Sequence, residues 1–260
     1  RKPAQLFGGV GKAANFAKNR RHPNRILNKD IPIIRFDNAT GQPIAILVSY
    51  ACHPVVLGAD NLLWTADYIH FFRKNLEQAH PSAVVIFATG AAADINTGHS
   101  AASSLSNMPN PDRSFQTAES IGKGLSQSVC KTKMQPLGDY CSAAETYTSL
   151  EFRPTEEESK EQLIQKWKSK IENIDSNQAI FEVWIKWAQN FMNSKLTAIK
   201  VRCTALNWGG ASLVALPGEI FSETASHIRK NIDDRNPLFI LGYADDNPGY
   251  IPPNSEFVYG

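Results

Sequence analysis

The run from Pro43 to Ala51 constrains the fold of this chain more than any other stretch. It is apolar almost throughout and lacks the alternation of a strand with one face in water. Such a run is typical of a strand that is buried on both faces of a sheet. His53 follows directly, and Pro54 cannot continue a ladder of hydrogen bonds. The sequence therefore predicts a central strand that ends at a histidine.

A histidine in this position has two interpretations. In open α/β sheets, ligands bind beyond the carboxyl ends of the strands, where a histidine is a metal ligand or a proton-transfer group. A buried histidine that caps a turn would give the same sequence. The stretch on its own leaves both interpretations open.

Composition sets the broad class of the protein. The chain has 260 residues, 42% hydrophobic and 20% charged, which predicts a packed core in one large domain or two small ones. A formal net charge of +2 is too small to favour nucleic acid as a partner. No apolar run approaches the roughly 18 residues of a membrane span. The chain starts without an initiator Met, so we expect a fragment or a processed chain.

Apolar runs and helical spacings predict an α/β fold with a mixed β-sheet flanked by helices. The order of strand, helix and strand over residues 44–88 favours a parallel βαβ unit. Residues 1–30 are predicted as loop with one short helix at Gly11–Ala17. The other predicted strands and helices are Ile31–Phe36, Ile44–Ala51, Asp67–Gln78, Ala83–Ala88, Phe115–Lys131, Ala143–Phe152, Ala198–Leu206, Ala211–Leu216 and Pro237–Tyr243.

Two further helices are predicted as a helical hairpin insertion at about residues 155–195. Their apolar positions include Trp167, Trp184 and Trp187. A tryptophan stripe can serve as a lipid-facing lid, although it more often forms the inward face of such a hairpin. We expect the whole chain, residues 1–260, to be one catalytic domain that carries this insertion.

The four cysteines lack the spacing of a cysteine zinc site or a thioredoxin motif. Cys52 and Cys203 lie in apolar strand patterns and are predicted as buried thiols. Cys130 and Cys141 bracket a loop, and an oxidising compartment would allow them to pair. The spacing does not decide whether this disulfide forms.

Polar residues follow several predicted strands at the point where each strand ends. His53, Asp94, Glu219 and the loop from Asp245 to Tyr250 all lie at such positions. Together they predict one site at the carboxyl edge of a single sheet. Histidine and carboxylate are ligands of catalytic zinc, and tyrosine is a rarer oxygen donor.

Six short motifs in this order resemble the neutral/alkaline (non-lysosomal) ceramidases and their bacterial relatives. The motifs are Asn19-Arg20, Ala51-Cys-His-Pro54, Thr65-Ala-Asp67, Ala93-Asp-Ile-Asn96, Leu216-Pro-Gly-Glu219 and Gly249-Tyr-Ile-Pro252. The resemblance implies a mixed α/β catalytic domain that holds one zinc ion. It places His53, Glu219 and Tyr250 at zinc-ligand positions.

The resemblance also implies a set of catalytic residues. It places Arg20 opposite the scissile amide, and it assigns Asp67 and Asp94 to support of the site. Asn96 stands where ceramidases carry a serine within a Gly-Asp-Val-Ser-Pro-Asn motif. An amide is not a nucleophile, but it can orient a water or donate to an oxyanion. The predicted catalytic residues are therefore Arg20, Asp94 and Asn96.

Part of the family's site has no counterpart in this sequence. The remaining zinc ligand of the family belongs to a His-x-His segment, and nothing before His53 fits it because His22 belongs to the arginine motif. We expect that segment upstream of Arg1 and a second active-site tyrosine just past Gly260.

The resemblance implies a zinc-dependent hydrolase of N-acylsphingosine or a similar lipid amide. Such a protein would be secreted, extracellular or periplasmic, and would associate with membrane surfaces. Because Asn96 replaces the serine, two alternatives stay open. One is a related zinc hydrolase of another amide or ester, and the other is a relative that has lost catalysis.

Overall fold

A computed structural model describes residues 3–100, 108–151, 159–173, 178–191, 198–232 and 236–259. The predicted central strand is β4 (Pro43–Tyr50) of a five-stranded sheet, and the short strand β2 (Lys18–Asn19) lies outside that sheet. β4 pairs antiparallel with β3 (Asp30–Asp37) and parallel with β5 (Val84–Thr89). β1 (Gln5–Lys12) pairs with β3, and two further residues, 135 and 136, form a short strand at the β1 edge.

A second sheet has four strands. Its β8 (Cys141–Glu151) and β9 (Ala198–Trp208) pair antiparallel along their whole length, and β10 (Ala211–Ala215) returns beside β9 as the predicted hairpin. β12 (Leu238–Leu241) then pairs parallel with β10. Two short strands precede β8 in the chain. They are β6 (Ile95–Asn96) and β7 (Gln135–Pro136), and β7 is the short strand at the β1 edge of the first sheet.

Helices cover the outer faces of both sheets. α1 (Asp67–Ala79) links β4 to β5 and completes the predicted parallel βαβ unit, and α2 (Phe115–Lys131) packs beside it. Gly122 of α2 permits this contact, because a Cβ there would lie 2.6 Å from the backbone of α1. Residues Ser222–Lys230 form a helix that packs on the second sheet.

The alternation of side chains along the strands shows how these layers stack. Ile33 and Val48 face α1 and α2, whereas their neighbours Ile34 and Leu47 face the second sheet. In that sheet, Phe239 packs in the shared core with Ile34. The order of layers is helix, sheet, sheet, helix.

This architecture confirms the α/β class and corrects the prediction of a single sheet. Strand patterns report which side chains are buried but not which strands share a sheet, and here a second sheet supplies the burial partners of the first. The two sheets meet where their parallel strands end. There the Gly242 N–H donates to the Thr89 carbonyl oxygen (3.3 Å), and Gly90 forms an isolated β-bridge with Leu241. The carboxyl ends of β4, β5, β10 and β12 therefore lie close together.

The predicted helix at Gly11–Ala17 is wrong, because β1 extends to Lys12 and a turn follows. The sequence pattern did not predict β1 because three of its residues, at positions 8, 9 and 11, are glycines, and glycine is rare within strands. Close packing leaves little room for side chains here: a Cβ at Gly9 would lie 2.7 Å from the Met134 sulfur, which would have to move.

The insertion forms α3 (Lys160–Asn173) and α4 (Gln178–Phe191) between β8 and β9. Residues 155–158, 174–177 and 192–195 of the predicted range lie outside the described residues. The rings of Trp167 and Trp184 lie 5.8 Å apart between the two helices, and Trp187 is half exposed. Trp167 and Trp184 therefore contact each other within the hairpin, while Trp184 keeps 41% of its surface exposed.

All four cysteines are free thiols in this structure. Cys130 and Cys141 are exposed, and the disulfide that the spacing left open is not formed here. Cys52 is fully buried as predicted, whereas Cys203 is only partly buried. Within the described ranges, no helix combines the length and the apolar character needed to cross a membrane.

Candidate metal centre

The junction of the two sheets brings together side chains from distant parts of the sequence. His53 follows β4, and its backbone N–H donates to the Ile95 carbonyl oxygen (3.0 Å). Glu219 opens β11 (Glu219–Ile220) just after β10, and its Oε2 lies 3.3 Å from His53 Nε2. The site therefore lies between the ends of two sheets, not along the edge of one.

The His53 imidazole carries the clearest sign of a metal ligand. Its Nε2 is buried and, in the part of the chain that the structure describes, has no hydrogen-bond partner. The Glu219 carboxylate is near enough for ion pairing but lies outside hydrogen-bonding geometry. Burial lowers the pKa of His53 more than the charge of Glu219 raises it. A neutral imidazole with an available lone pair is the form that binds a metal.

Tyr243 joins these two residues and was missed by the sequence analysis. Its hydroxyl donates to Glu219 Oε2 (2.9 Å) and lies 3.5 Å from His53 Nδ1. Its φ of +58° is uncommon for a residue with a bulky side chain. Burial and the bond to Glu219 raise the pKa of this phenol, so it keeps its proton at neutral pH. It ends a strand, as His53 does, and that signal would have identified it.

Tyr250 and Arg20 form the other side of the cluster. Tyr250 begins β13 (Tyr250–Ile251) and is the register partner of Glu219 in a parallel pair. Its hydroxyl accepts a hydrogen bond from Arg20 Nη2 (3.0 Å), which also donates to the Ala93 carbonyl oxygen (2.6 Å). The backbone of Tyr250 therefore lies opposite that of Glu219 in the strand pair, whereas its hydroxyl is hydrogen-bonded to Arg20.

Asp94 lies behind this cluster as a buried support. Its carboxylate accepts hydrogen bonds from the Ser222 backbone N–H (2.7 Å), the Ser222 hydroxyl (2.6 Å) and the Asn19 amide (2.5 Å). Its own carbonyl oxygen accepts from the Arg20 N–H (2.8 Å). Because the Asp94 side chain is fully buried, it fixes the segments that carry Arg20 and Glu219 and does not contact solvent.

Asn96 is also buried, and its amide organises a turn. Its Oδ1 accepts from the backbone N–H groups of Gly98 (2.9 Å) and His99 (3.1 Å), and its Nδ2 donates to the His99 carbonyl oxygen (2.8 Å). The side chain is 1% exposed. Its predicted role as a donor to substrate stays a prediction.

Asp67 shapes the loop that follows His53. Its φ is +54°, and its carboxylate accepts from the backbone N–H groups of Leu57 (2.9 Å) and Tyr68 (2.7 Å). The Asp67 N–H in turn donates to the Thr65 hydroxyl (2.9 Å). These bonds join the two ends of the loop and agree with a supporting position.

Glu256 anchors the chain segment after Tyr250 and was not identified from the sequence. Its buried carboxylate bonds Arg21 Nε (2.8 Å) and His22 Nε2 (2.8 Å), and Arg25 Nη1 lies 3.3 Å away. Glu256 belongs to a 3₁₀ helix at Asn254–Tyr259. It therefore ties the Tyr250 segment to the loop that begins with Arg20.

The donor set at the junction is one imidazole, one carboxylate and two phenols. No group of three or more His, Cys, Asp and Glu side chains suited to a metal occurs among the described residues. His53 and Glu219 are nevertheless ligands that zinc accepts, and catalytic zinc sites hold water in an open position. The orphaned His53 Nε2 fits such an ion.

No protein-family model matches this sequence, and no curated protein matches it. Among solved structures, neutral ceramidase from Pseudomonas aeruginosa is similar with a TM-score of 0.66 at 14% sequence identity, over 98% of this chain and 47% of that one. A ceramidase complexed with C2 has a TM-score of 0.66 at 15% identity, over 96% of this chain and 48% of that one.

These similarities establish the fold. The chain spans just under half the length of both ceramidase structures. At this level of identity, activity and substrate do not follow from the comparison. The chain has a ceramidase-like fold.

Proposed function

We propose that this protein is a zinc-dependent hydrolase that cleaves an amide bond, with ceramide-like lipid amides as its substrates. The orphaned, buried His53 Nε2 beside Glu219 is the observation that carries the proposal. A ceramidase-like fold supports it, and so does the position of Arg20 next to Tyr250 on the same cluster. Tyr250 is the third proposed ligand.

The residues at the junction have distinct proposed roles. His53 and Glu219 would hold the zinc ion, which supplies Lewis acidity and a water of lowered pKa. Tyr243 orients the Glu219 carboxylate through its hydrogen bond. Of the three nitrogens of the Arg20 guanidinium, only Nη2 makes hydrogen bonds to the residues that the structure describes. Nε and Nη1 keep their N–H groups for the oxygen of a substrate carbonyl, where negative charge develops.

Two alternatives to this proposal are a related hydrolase with another substrate and a relative that has lost catalysis. Asn96 in place of the serine favours a related hydrolase of another amide or ester. A relative without catalysis would have little need to keep a buried imidazole without a partner beside a carboxylate, since unsatisfied buried polar groups are costly. We therefore rank the catalytic proposals first.

A lipid substrate leads to two further proposals. The protein would associate with membrane surfaces, and it would be secreted. The loop before Asp67 exposes Leu62, Leu63 and Trp64, and Trp64 is fully exposed. Tryptophan and leucine at such a position suit the interface of a membrane or micelle. Secretion would bring the site to extracellular lipid.

The proposed function is tested by hydrolysis assays with the full-length protein. We expect ceramide to be cleaved in preference to N-acyl amino acids and acyl esters. Arg20→Met should reduce hydrolysis by about 100- to 1,000-fold while zinc content is unchanged, because one donor to the oxyanion is lost. Arg73→Met, which changes an exposed arginine of α1, is the control. Equal rates for Arg20→Met and Arg73→Met would contradict the role of Arg20, and preference for another substrate would favour the alternative.

Substitution of Asn96 tests whether this residue is needed for zinc binding, for hydrolysis or for neither. Asn96→Ala is expected to leave zinc content unchanged and to slow hydrolysis, since the 96–99 turn loses its three side-chain hydrogen bonds. Asn96→Ser should raise ceramide turnover if the family's serine acts on that substrate. Metal analysis and initial rates for both variants provide the measurement. Loss of zinc in Asn96→Ala would make Asn96 a ligand, and unchanged rates on every substrate would leave it a loop residue.

A further inference from the structure

A cavity of about 300 Å³ lies apart from the metal cluster. We name the helix Ser222–Lys230 α5; one face of it, from Ser222 to Arg229, forms one wall, and the loop around Arg25 forms another. His53, Glu219, Tyr243 and Tyr250 are not among its walls. Buried Asp94, behind the metal cluster, contacts two residues of the cavity wall, Ser222 and Arg25.

The charged side chains that line this cavity are paired, with one exception. Arg25 lies 3.5 Å from Glu223, and Glu223 also accepts from the Ser255 hydroxyl (2.9 Å). Asp30 contacts Lys12 and accepts from the Asn28 amide (3.1 Å). The exception is a second arginine of α5.

The Arg229 guanidinium makes no hydrogen bond or ion pair in the part of the chain that the structure describes, whereas the Arg229 backbone carbonyl belongs to the C-terminal end of α5. Its side chain is half-buried, and this loss of solvent lowers the pKa of the guanidinium, while Asp30 offsets only part of the effect. A cation that is partly removed from water is unfavourable unless enough negative charge faces it. Asp30 supplies part of that charge, but its carboxylate is already in contact with Lys12, so a ligand could supply the rest. The planar guanidinium matches a carboxylate through two parallel hydrogen bonds.

The remainder of the wall is largely apolar. Leu27, Ile95, Ala225 and Ile240 line the cavity beside Arg229. A cavity of this size is at the lower end of ligand sites, which combine apolar walls with few polar groups. The chemistry that fits is one negative charge on a short apolar body.

We propose that this cavity binds a small organic carboxylate, with the carboxylate group on Arg229 and the apolar part against Leu27, Ala225 and Ile240. The site is independent of the proposed hydrolase activity, because none of the proposed ligands lines it.

Calorimetric titration of the full-length protein with hexanoate and its neutral analogue hexanamide tests this proposal. Hexanoate should bind the wild type with a clear preference over hexanamide. Arg229→Met should weaken hexanoate binding by at least about tenfold, because a charge-assisted hydrogen-bond pair is lost. The control Lys230→Met removes an exposed positive charge from the next residue of the same helix, and it should bind as the wild type does. His53→Ala should also bind normally, which separates this cavity from the metal cluster.

Three results would overturn the proposal: no binding to the wild type, unchanged binding to Arg229→Met, or loss of binding in His53→Ala. If circular dichroism shows that Arg229→Met does not fold, Arg229→Lys replaces it. The lysine variant keeps the charge, so it should still prefer hexanoate to hexanamide, although with lower affinity than the wild type. Equal binding of the two compounds to Arg229→Lys would overturn the proposal as well.

Discussion

Asp94→Ala is expected to destabilise the folded protein by about 3–5 kcal/mol and to abolish hydrolysis. The variant leaves the Ser222 N–H, the Ser222 hydroxyl and the Asn19 amide without their acceptor inside the protein. Each buried donor without a partner costs about 1–3 kcal/mol. Chemical denaturation of the full-length protein, followed by circular dichroism, gives the free energy of unfolding.

The matched control is Asp112→Ala, which removes an exposed aspartate from a loop. Its cost should stay within about 0.5 kcal/mol. If Asp94→Ala also stays within that range, Asp94 does not support the segments of Arg20 and Glu219, and its assigned position behind the site is wrong.

Glu256→Gln is expected to cost about 3 kcal/mol near neutral pH. An amide cannot balance the charges of Arg21 and Arg25 or replace the carboxylate contact of His22. The Tyr250 segment and the Arg20 loop would then separate more easily, so we also expect slower hydrolysis. Unfolding measured by urea provides the test.

The effect of Glu256 depends on pH in a defined direction. Burial raises the pKa of its carboxyl, but the hydrogen bonds and charges of Arg21 and His22 lower it by more, so the net shift is downward. A carboxyl with a lowered pKa in the folded state stabilises the fold above its unfolded pKa of about 4.3 and loses this contribution as the pH falls below that value. The difference between wild type and Glu256→Gln should therefore shrink as the pH falls from about 5 to below about 4. A difference that does not change over this range would contradict the ionised contact.

Local patterns in the sequence were sufficient for much of the fold. The apolar run that became β4 and the position of His53 at its end follow from burial and from the chemistry of proline. α2 was predicted with the observed bounds, Phe115–Lys131, since its apolar spacing is regular. These features depend on neighbours within a few residues.

Contacts between distant residues could not be predicted in the same way. Glu256 meets Arg21 and His22 across more than 230 positions, and no local pattern marks that pairing. The division of strands into two sheets likewise depends on how Ile34 and Phe239 pack together. Tyr243 follows the end of β12, so the strand-end pattern that marks His53 and Glu219 also marks this residue.

The central claim is that His53 and Glu219 hold zinc, and the metal content of the full-length protein tests it most directly. Mass spectrometric metal analysis should give about one zinc ion per chain in the wild type and in Arg20→Met, which keeps His53, Glu219 and Tyr250. His53→Ala should lose the metal and the activity together, because a ligand is removed. Zinc retained at the wild-type level in His53→Ala, or a wild type prepared without chelators that holds no zinc, would contradict the account.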